Sequence, residues 1–433
     1  MSGILAVTDA TRLQTVGVML KFVAANARWL LAGLFLCFFS GFGQTYFISL
    51  SNETIRSALG LSHMQFGLAY SISTLASAVC VSQFGYLADR WSSRRAAAVT
   101  IFGLALACFA MAFSVYSLFI LVISIFGLRL FGQGFCGHVA MTSAGKWFLN
   151  NRGKAVSIVG LGFPISEAVM PGIAAFVIAG LGFSVLWAGG AVVLLLIAFP
   201  LVALLLRIDR VPDQVAKASD GIDVDVEVVL DWTRKQVSRR PEFYALLLAT
   251  LCPPFMVTAF FFHQQHLAEI TGWSPVVMVS SMLFFAVAQV VSSLVTGWAI
   301  DRFKARQILP FYLLPLSLAL FIPGFLPSEA MIPVLYSGLG MTAGGAAALL
   351  GALWPELFGA KYLGEIRALA YAAMVASTAA SPFLTGFLID LGVSFSHQLA
   401  FMGGFSLLAS ALMGLIQPNL AHLNAKLKPL TAE

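Results

Sequence analysis

The stretch Gly85-Tyr86-Leu87-Ala88-Asp89-Arg90-Trp91-Ser92-Ser93-Arg94-Arg95 lies between two long apolar runs. It recurs in weaker form as Gly297-Trp298-Ala299-Ile300-Asp301-Arg302-Phe303-Lys304-Ala305-Arg306, displaced by close to half the chain. A second pair of landmarks repeats at nearly the same offset. Lys146-Trp147-Phe148-Leu149-Asn150-Asn151-Arg152-Gly153-Lys154-Ala155 is echoed by Trp354-Pro355-Glu356-Leu357-Phe358 followed by Gly364-Glu365-Ile366-Arg367-Ala368. Two landmarks repeating together constrain the chain to two related units, each carrying the same turn after its second apolar run.

The solvent for those units is lipid. Hydrophobic residues make up 59% of the chain and charged residues 10%, and the mean hydropathy is +0.91; soluble domains average about 45–50% apolar and about 25% charged. A bilayer helix needs about 20 apolar residues. Twelve such spans are expected, at 29–50, 65–87, 95–115, 117–145, 154–180, 183–206, 242–266, 274–299, 307–325, 331–357, 365–389 and 395–417. Their length excludes a barrel, whose strands need only about 9–11 residues. The expected fold class is an all-α membrane protein of twelve transmembrane helices in two pseudo-symmetric six-helix bundles. The expected division is an N-terminal tail (1–28), a first bundle (29–206), a polar linker (207–241), a second bundle (242–417) and a C-terminal tail (418–433).

The formal net charge of +6 does not point to nucleic acid, because the cations are sorted by topology. All of the 25 lysines and arginines except Arg56 and Arg129 fall in the tails, the linker or the loops on one side of the spans. That is the positive-inside bias, and it predicts both termini in the cytoplasm and a bacterial inner (plasma) membrane location. Residues before Arg28 lack the pattern of a cleaved signal peptide. The linker joins an acidic patch (Asp220, Asp223, Asp225, Glu227, Asp231) to a basic end (Arg234 to Arg240) and reads as a tether along the headgroups. Cys37, Cys80, Cys108, Cys136 and Cys252 sit in apolar spans without paired spacing and read as small packing residues. No zinc-protease, phosphate-loop or nucleophile-elbow motif occurs, so neither enzyme activity nor a cofactor or metal is expected.

Arg129 is the most informative single residue, because a charge at mid-membrane depth costs at least about 2.5–3.5 kcal/mol and faces a partner or a wet cavity. Gln133 lies one helical turn on. Glu167, at matching depth in span 5 and flanked by Pro164 and Pro171, is the expected counter-charge. His138 lies nine residues beyond Arg129, on the opposite face of a regular helix and nearer the cytoplasm. His263 and Gln264 in span 7, Gln44 and Tyr46 in span 1, and Gln289 in span 8 are further hydrogen-bonding groups at membrane depth. The two repeated turns have another task. Gly85 and Gly297 allow helices to approach, Asp89 and Asp301 suit the N-terminal end of a facing helix, and Arg90, Arg94, Arg302 and Arg306 pair with acidic groups. Together they read as a cytoplasmic gate.

With these residues in place the chain resembles the major facilitator superfamily over about 29–417. The Gly85–Arg95 turn is similar to the superfamily's signature between spans 2 and 3, with Ser92 where a second glycine is usual. Arg129 with Gln133 and Gly134 resembles its span-4 arginine motif, and the Trp147 and Trp354 turns resemble the monocarboxylate and oxalate/formate branch. Span 8 departs from that branch in having no Asp or Arg, and span 1 in having no Lys. The resemblance implies a monomeric secondary transporter whose partners are a small-molecule substrate, a proton and the lipid bilayer. Proton-coupled uptake of a small organic anion is the leading expectation. The alternative is proton-coupled efflux of amphipathic or drug-like compounds, suggested by the Phe and Met residues of spans 7 and 8.

Overall fold

The computed structural model describes residues 2–148, 151–208, 210, 231–359 and 361–425, with side chains from 21 onward except 88, 89 and 421–425. Helices and turns, and no strands, make up the described residues. Lipid leaves backbone groups no partner but one another, so apolar runs of this length close their hydrogen bonds along the helix. Among the described residues, eleven helices are long and apolar enough to cross a membrane: Lys21–Gly43, His63–Phe84, Ser93–Met111, Leu118–Trp147, Arg152–Leu181, Phe183–Leu205, Pro241–Thr271, Pro275–Phe303, Glu329–Phe358, Leu363–Asp390 and Phe395–Leu420. These correspond to spans 1–8 and 10–12, and the span numbers are kept below.

Span 9 is built of shorter helices than the other spans. It consists of Ala305–Ile308, a turn, and Leu314–Phe325. Pro310 and Pro315 lack the N–H that a continuous helix would use there. Span 5 is divided at Leu161, between Arg152–Gly160 and Gly162–Leu181. Pro164, which cannot donate to the carbonyl four residues back, accounts for that division. The first helix begins at Ser2 and runs into span 1, so the N-terminal tail is helical. Of the linker, residues 211–230 lie outside the described residues, as do the acidic Asp220, Asp223, Asp225 and Glu227 of its patch.

Within the second bundle the closest helix pair is spans 8 and 10. Gly340 and Gly344 stand one turn apart on span 10, and a Cβ on either would run into a backbone carbonyl of span 8, Phe285 or Gln289. Small residues at this spacing let helices approach to backbone contact, which lipid by itself would not drive.

The two bundles meet through spans 2 and 11, 5 and 8, and 1 and 7. Their hydrogen bonds to each other, among the described residues, lie at the end away from the two Gly–Asp–Arg turns; that end is called outer after the positive-inside expectation. Asn52 Nδ2 donates to the Phe262 carbonyl (2.8 Å), Gln265 Nε2 to the Leu50 carbonyl (2.9 Å), and Gln264 Nε2 to Ser49 Oγ (3.3 Å). The carboxylate of Asp390 accepts from the backbone N–H of His63 (3.1 Å) and Met64 (2.8 Å), at the start of span 2. Ser71 Oγ donates to the Ala379 carbonyl one layer deeper. Helices 2 and 11 touch closely there: a Cβ on Gly67 would lie 2.5 Å from the Pro382 carbonyl oxygen, and one on Gly386 2.6 Å from that of His63. The structure is therefore sealed at the outer end. At the inner end the linker is tied to each bundle by a different residue. Arg210 donates to the Trp147 carbonyl and to Asn26 Oδ1, while Asp231 accepts from the Lys361 N–H (2.9 Å).

Candidate functional site

Span 1 stops being an α-helix where its sequence reads Ser-Gly-Phe-Gly-Gln. Ser40–Gly43 forms a 3₁₀ turn, Gln44 is extended (φ −84°, ψ 151°), and helix resumes over Thr45–Ile48. Two glycines in five residues weaken the helix, and the interruption leaves carbonyl groups without intrahelical donors. Arg129 answers one of them. Its Nη1 lies 3.3 Å from the Gly43 carbonyl and 3.4 Å from Thr45 Oγ1. Thr45 Oγ1 in turn shares a 2.6 Å hydrogen bond with the Tyr70 hydroxyl, and the Tyr70 ring faces the guanidinium at 5.2 Å.

Arg129 reaches span 1 because span 4 is itself irregular. Leu128–Cys136 is π-helical between two α-helical pieces, Leu118–Gly127 and Gly137–Trp147. Such segments are rare and concentrate at functional sites. The close approach needs Gly43: a Cβ there would sit 2.7 Å from Gly132 Cα and 2.8 Å from the Gln133 amide nitrogen. Arg129 is only 2% exposed, and its Nε has no partner. Among the described residues no carboxylate lies within ion-pair distance of it. From the second bundle, the Tyr371 hydroxyl on span 11 is within electrostatic reach of the guanidinium.

The expected ion pair between Arg129 and Glu167 is not formed. Depth matching alone suggested it, but the π-helical turns rotate Arg129 toward spans 1 and 2. Glu167 instead lies near Tyr46, whose hydroxyl bonds Ser166 Oγ at 2.8 Å. Ser166 Oγ also contacts Met170 Sδ at 2.9 Å. Glu167 Oε2 is buried without a hydrogen-bond partner. The interrupted span 1 thus touches both groups: Gly43 and Thr45 meet the cation, and Tyr46 meets span 5 beside the carboxyl.

The other candidates separate into groups. Gln44 contributes through its backbone, whose carbonyl accepts from the N–H of Phe47 and Ile48. Gln133 is exposed although Arg129 is buried, so the two do not share a face as a regular helix would have them. His138 does not join Arg129 or Glu167; its Nε2 is 3.0 Å from the Gly85 carbonyl, which places it on the repeated turn. Gln264 is buried and committed, accepting from the Tyr336 hydroxyl (2.8 Å) while donating to Ser49 across the bundles. His263 Nε2 lies 3.3 Å from the Pro382 carbonyl. Gln289 Oε1 is buried and unpartnered on span 8.

At the gate turns, Arg90, Arg302 and Arg306 are engaged within their own bundles. The Arg90 guanidinium stacks on Tyr86 and that of Arg302 on Phe303, at 5.0 and 5.7 Å. Arg306 Nε is 3.9 Å from Glu356 Oε1, and Glu356 also caps the start of span 9, accepting from the Ala305 N–H at 2.6 Å. Arg94 and Asp301 are exposed. Gly297 has nothing within 4 Å of its Cβ position, so the close helix approach expected there is absent in this state. The side chain of Asp89 lies outside the described residues. Thr45, Tyr70, Tyr371 and Glu356 complete these arrangements and were not among the residues the sequence singled out.

A polar site on an interrupted helix, between two bundles sealed at one end, is an arrangement of alternating-access transporters. The sequence profile described as Major Facilitator Superfamily matches residues 33–288 and 255–432. The chain belongs to the major facilitator superfamily. It is a multi-pass membrane transporter of that superfamily and not an enzyme. Two solved structures share the superfamily fold at low identity. The crystal structure of a bacterial homolog to the human lysosomal transporter Spinster, in an inward-facing and unoccupied conformation, superposes with a TM-score of 0.69 at 12% identity, covering 92% of this chain and 98% of that one. The same homolog in an inward-facing and occupied conformation gives 0.63 at 13%, covering 92% and 96%. No curated protein sequence matches this chain.

Proposed function

We propose that this superfamily member takes up a small organic anion of the monocarboxylate kind together with a proton, across a bacterial inner membrane. The observation that carries the reading is a buried guanidinium with no carboxylate partner among the described residues. Arg129 has a carbonyl and a hydroxyl as acceptors at 3.3 and 3.4 Å, and its Nε is unused. A substrate carboxylate would supply charge-assisted, fork-shaped bonds stronger than either. Tyr70 and Thr45 would orient the anion, and Tyr371 would reach it from the opposite bundle.

Glu167 is the proposed proton carrier. Among the described residues it has no cation beside it, so a proton taken from one side would travel as part of a neutral carboxyl while the bundles rock. Positive-inside sorting puts the Gly–Asp–Arg turns in the cytoplasm, and the outer seal then makes this conformation the one that faces inward. Asp301 and Gly297, unengaged here, would meet the opposite bundle when the inner end closes.

Efflux of amphipathic compounds is the second reading, and one observation favours it. A cavity of about 780 Å³ runs between spans 7, 11 and 12, lined largely by apolar side chains including Leu248, Phe255, Met256, Phe401 and Phe405.

The test is transport into proteoliposomes. In Glu167→Gln, accumulation of a short carboxylate driven by a pH gradient is expected to vanish, while exchange of labelled for unlabelled carboxylate persists. Accumulation at the wild-type level would exclude Glu167 as the carrier.

A further inference from the structure

Three histidines meet where the bundles are sealed. His63 opens span 2 in the first bundle; His263 and His266 come from span 7 in the second. The His63 ring centroid is 4.5 Å from that of His266 and 5.6 Å from that of His263. They sit amid the bonds that hold the outer end shut, since Phe262, Gln264 and Gln265 on span 7 and the His63 and Met64 amides on span 2 all bridge the bundles.

Their hydrogen bonding suits neutral rings. His263, 1% exposed, faces the Pro382 carbonyl through Nε2 at 3.3 Å, so a neutral ring donates there and leaves Nδ1 bare. Nδ1 of His63 and of His263 are both buried and unpartnered. The charged groups within electrostatic reach are Arg56, Glu53, Asp390 and Glu269. Asp390 is already engaged by two backbone amides. Glu53 is bound to Arg56 at 2.9 Å and to Ser57 at 3.1 Å. Glu269 is 3.8 Å from His266 on the same span and can balance that ring alone. A proton on His63 and another on His263 would therefore put like charges from opposite bundles at ring contact, with Arg56 adding a third.

We propose that His63, His263 and His266 form a proton-binding latch on the outer gate: neutral, they let the bundles close, and protonated, they part them. The latch rests on the alternating-access reading above, but not on the substrate or on Glu167. External acid then opens the carrier outward, and closure returns the latch protons to the outer water, so they are distinct from the proton carried inward. Each histidine proton gained on opening changes the open-to-closed ratio by at most about tenfold per pH unit.

The test uses the full chain in lipid nanodiscs, without substrate. Spin labels replace Ala58 and Ser394, exposed at the outer end of opposite bundles, in a Cys80→Ser background, the other four cysteines being buried. Interlabel distances are compared at about pH 7.5 and about pH 5.5, either side of the ordinary histidine range. The expected result is a longer distance population whose ratio to the closed one rises at least about tenfold in acid, and no such rise in His63→Gln/His263→Gln. The same distances at both pH values, or an undiminished response in the double variant, would overturn the latch. Should the double variant fail to reach the closed distance at the higher pH, Arg56→Gln decides: it keeps the rings and removes the third cation, so the acid response must shrink, and an unchanged response counts against the proposal. Because no substrate enters this measurement, its failure leaves the carboxylate reading standing, and absence of carboxylate transport beside a working latch would defeat only that reading.

Discussion

Gly43→Ala probes the link between the interrupted helix and Arg129. The added Cβ would run into the Leu128 carbonyl oxygen and stand 2.7 Å from Gly132 Cα and 2.8 Å from the Gln133 nitrogen, whereas carbon atoms pack at about 3.5–4.0 Å. All three near atoms are backbone in span 4, so no side chain can rotate aside. Span 1 must retreat by about 1 Å or more. Overpacking of this kind costs about 1–3 kcal/mol. The Arg129 bond to the Gly43 carbonyl, already 3.3 Å long, would pass beyond hydrogen-bonding distance. If that cost falls on the binding-competent arrangement, affinity for a short carboxylate weakens by roughly 5–150-fold. Equilibrium binding of a labelled carboxylate to purified protein gives the number. Gly172→Ala on span 5 is the control, since its Cβ meets nothing within 4 Å and alanine is the better helix former by about 1 kcal/mol. It should bind as wild type. Equal affinity in Gly43→Ala and wild type would refute the claim that the close approach of spans 1 and 4 builds the site.

Three further outcomes follow from individual contacts. Glu356→Ala removes the acceptor at the start of span 9 and the partner of Arg306; thermal unfolding in detergent should show a loss of about 0.5–2 kcal/mol, typical of a lost cap, with carboxylate binding unchanged. Gln265→Ala deletes two bonds across the outer seal, to the Leu50 carbonyl and from the Glu53 N–H, and at about 0.5–1.5 kcal/mol per hydrogen bond thiol labelling of a cysteine placed behind that seal should quicken at least several-fold. Gly344→Leu drives a side chain into the Gln289 carbonyl and should abolish stable expression, while Gly351→Leu, with nothing within 4 Å, should be tolerated.

The superfamily fold was legible because hydropathy and the repeated turns act over whole spans and survive local irregularity. Eleven helices match expected spans to within a few residues at most ends. Features that depend on helix phase were not legible. Gly127, Gly132, Gly134 and Gly137 crowd span 4, but composition does not say that the intervening residues wind as a π-helix. That winding turns Arg129 away from Glu167 and leaves Gln133 exposed. Equally hidden was the stop at Gly43–Gln44, since hydropathy stays high through Phe47 and Ile48 while the backbone turns. Tyr70 and Thr45 gave a faint signal, as hydroxyls at membrane depth, no stronger than that of Tyr46. His63 gave less, because it opens span 2 and its meeting with His263 and His266 joins segments 200 residues apart in sequence. Contacts between bundles of this kind carry no local pattern. Glu356 was missed as a partner for Arg306 because spans 9 and 10 bring together residues 50 positions apart within one bundle.

The central claim is that Arg129 awaits a substrate carboxylate, and ligand-dependent thermal stability measures it most directly. A ligand that binds only the folded protein raises the unfolding midpoint by an amount set by its concentration relative to Kd, about 2.7 kcal/mol at 100 Kd. The account predicts a concentration-dependent rise with short carboxylates that disappears in Arg129→Gln. A rise confined to bulky amphiphiles and unchanged in Arg129→Gln would contradict it, and would move the binding site to the apolar cavity between spans 7, 11 and 12.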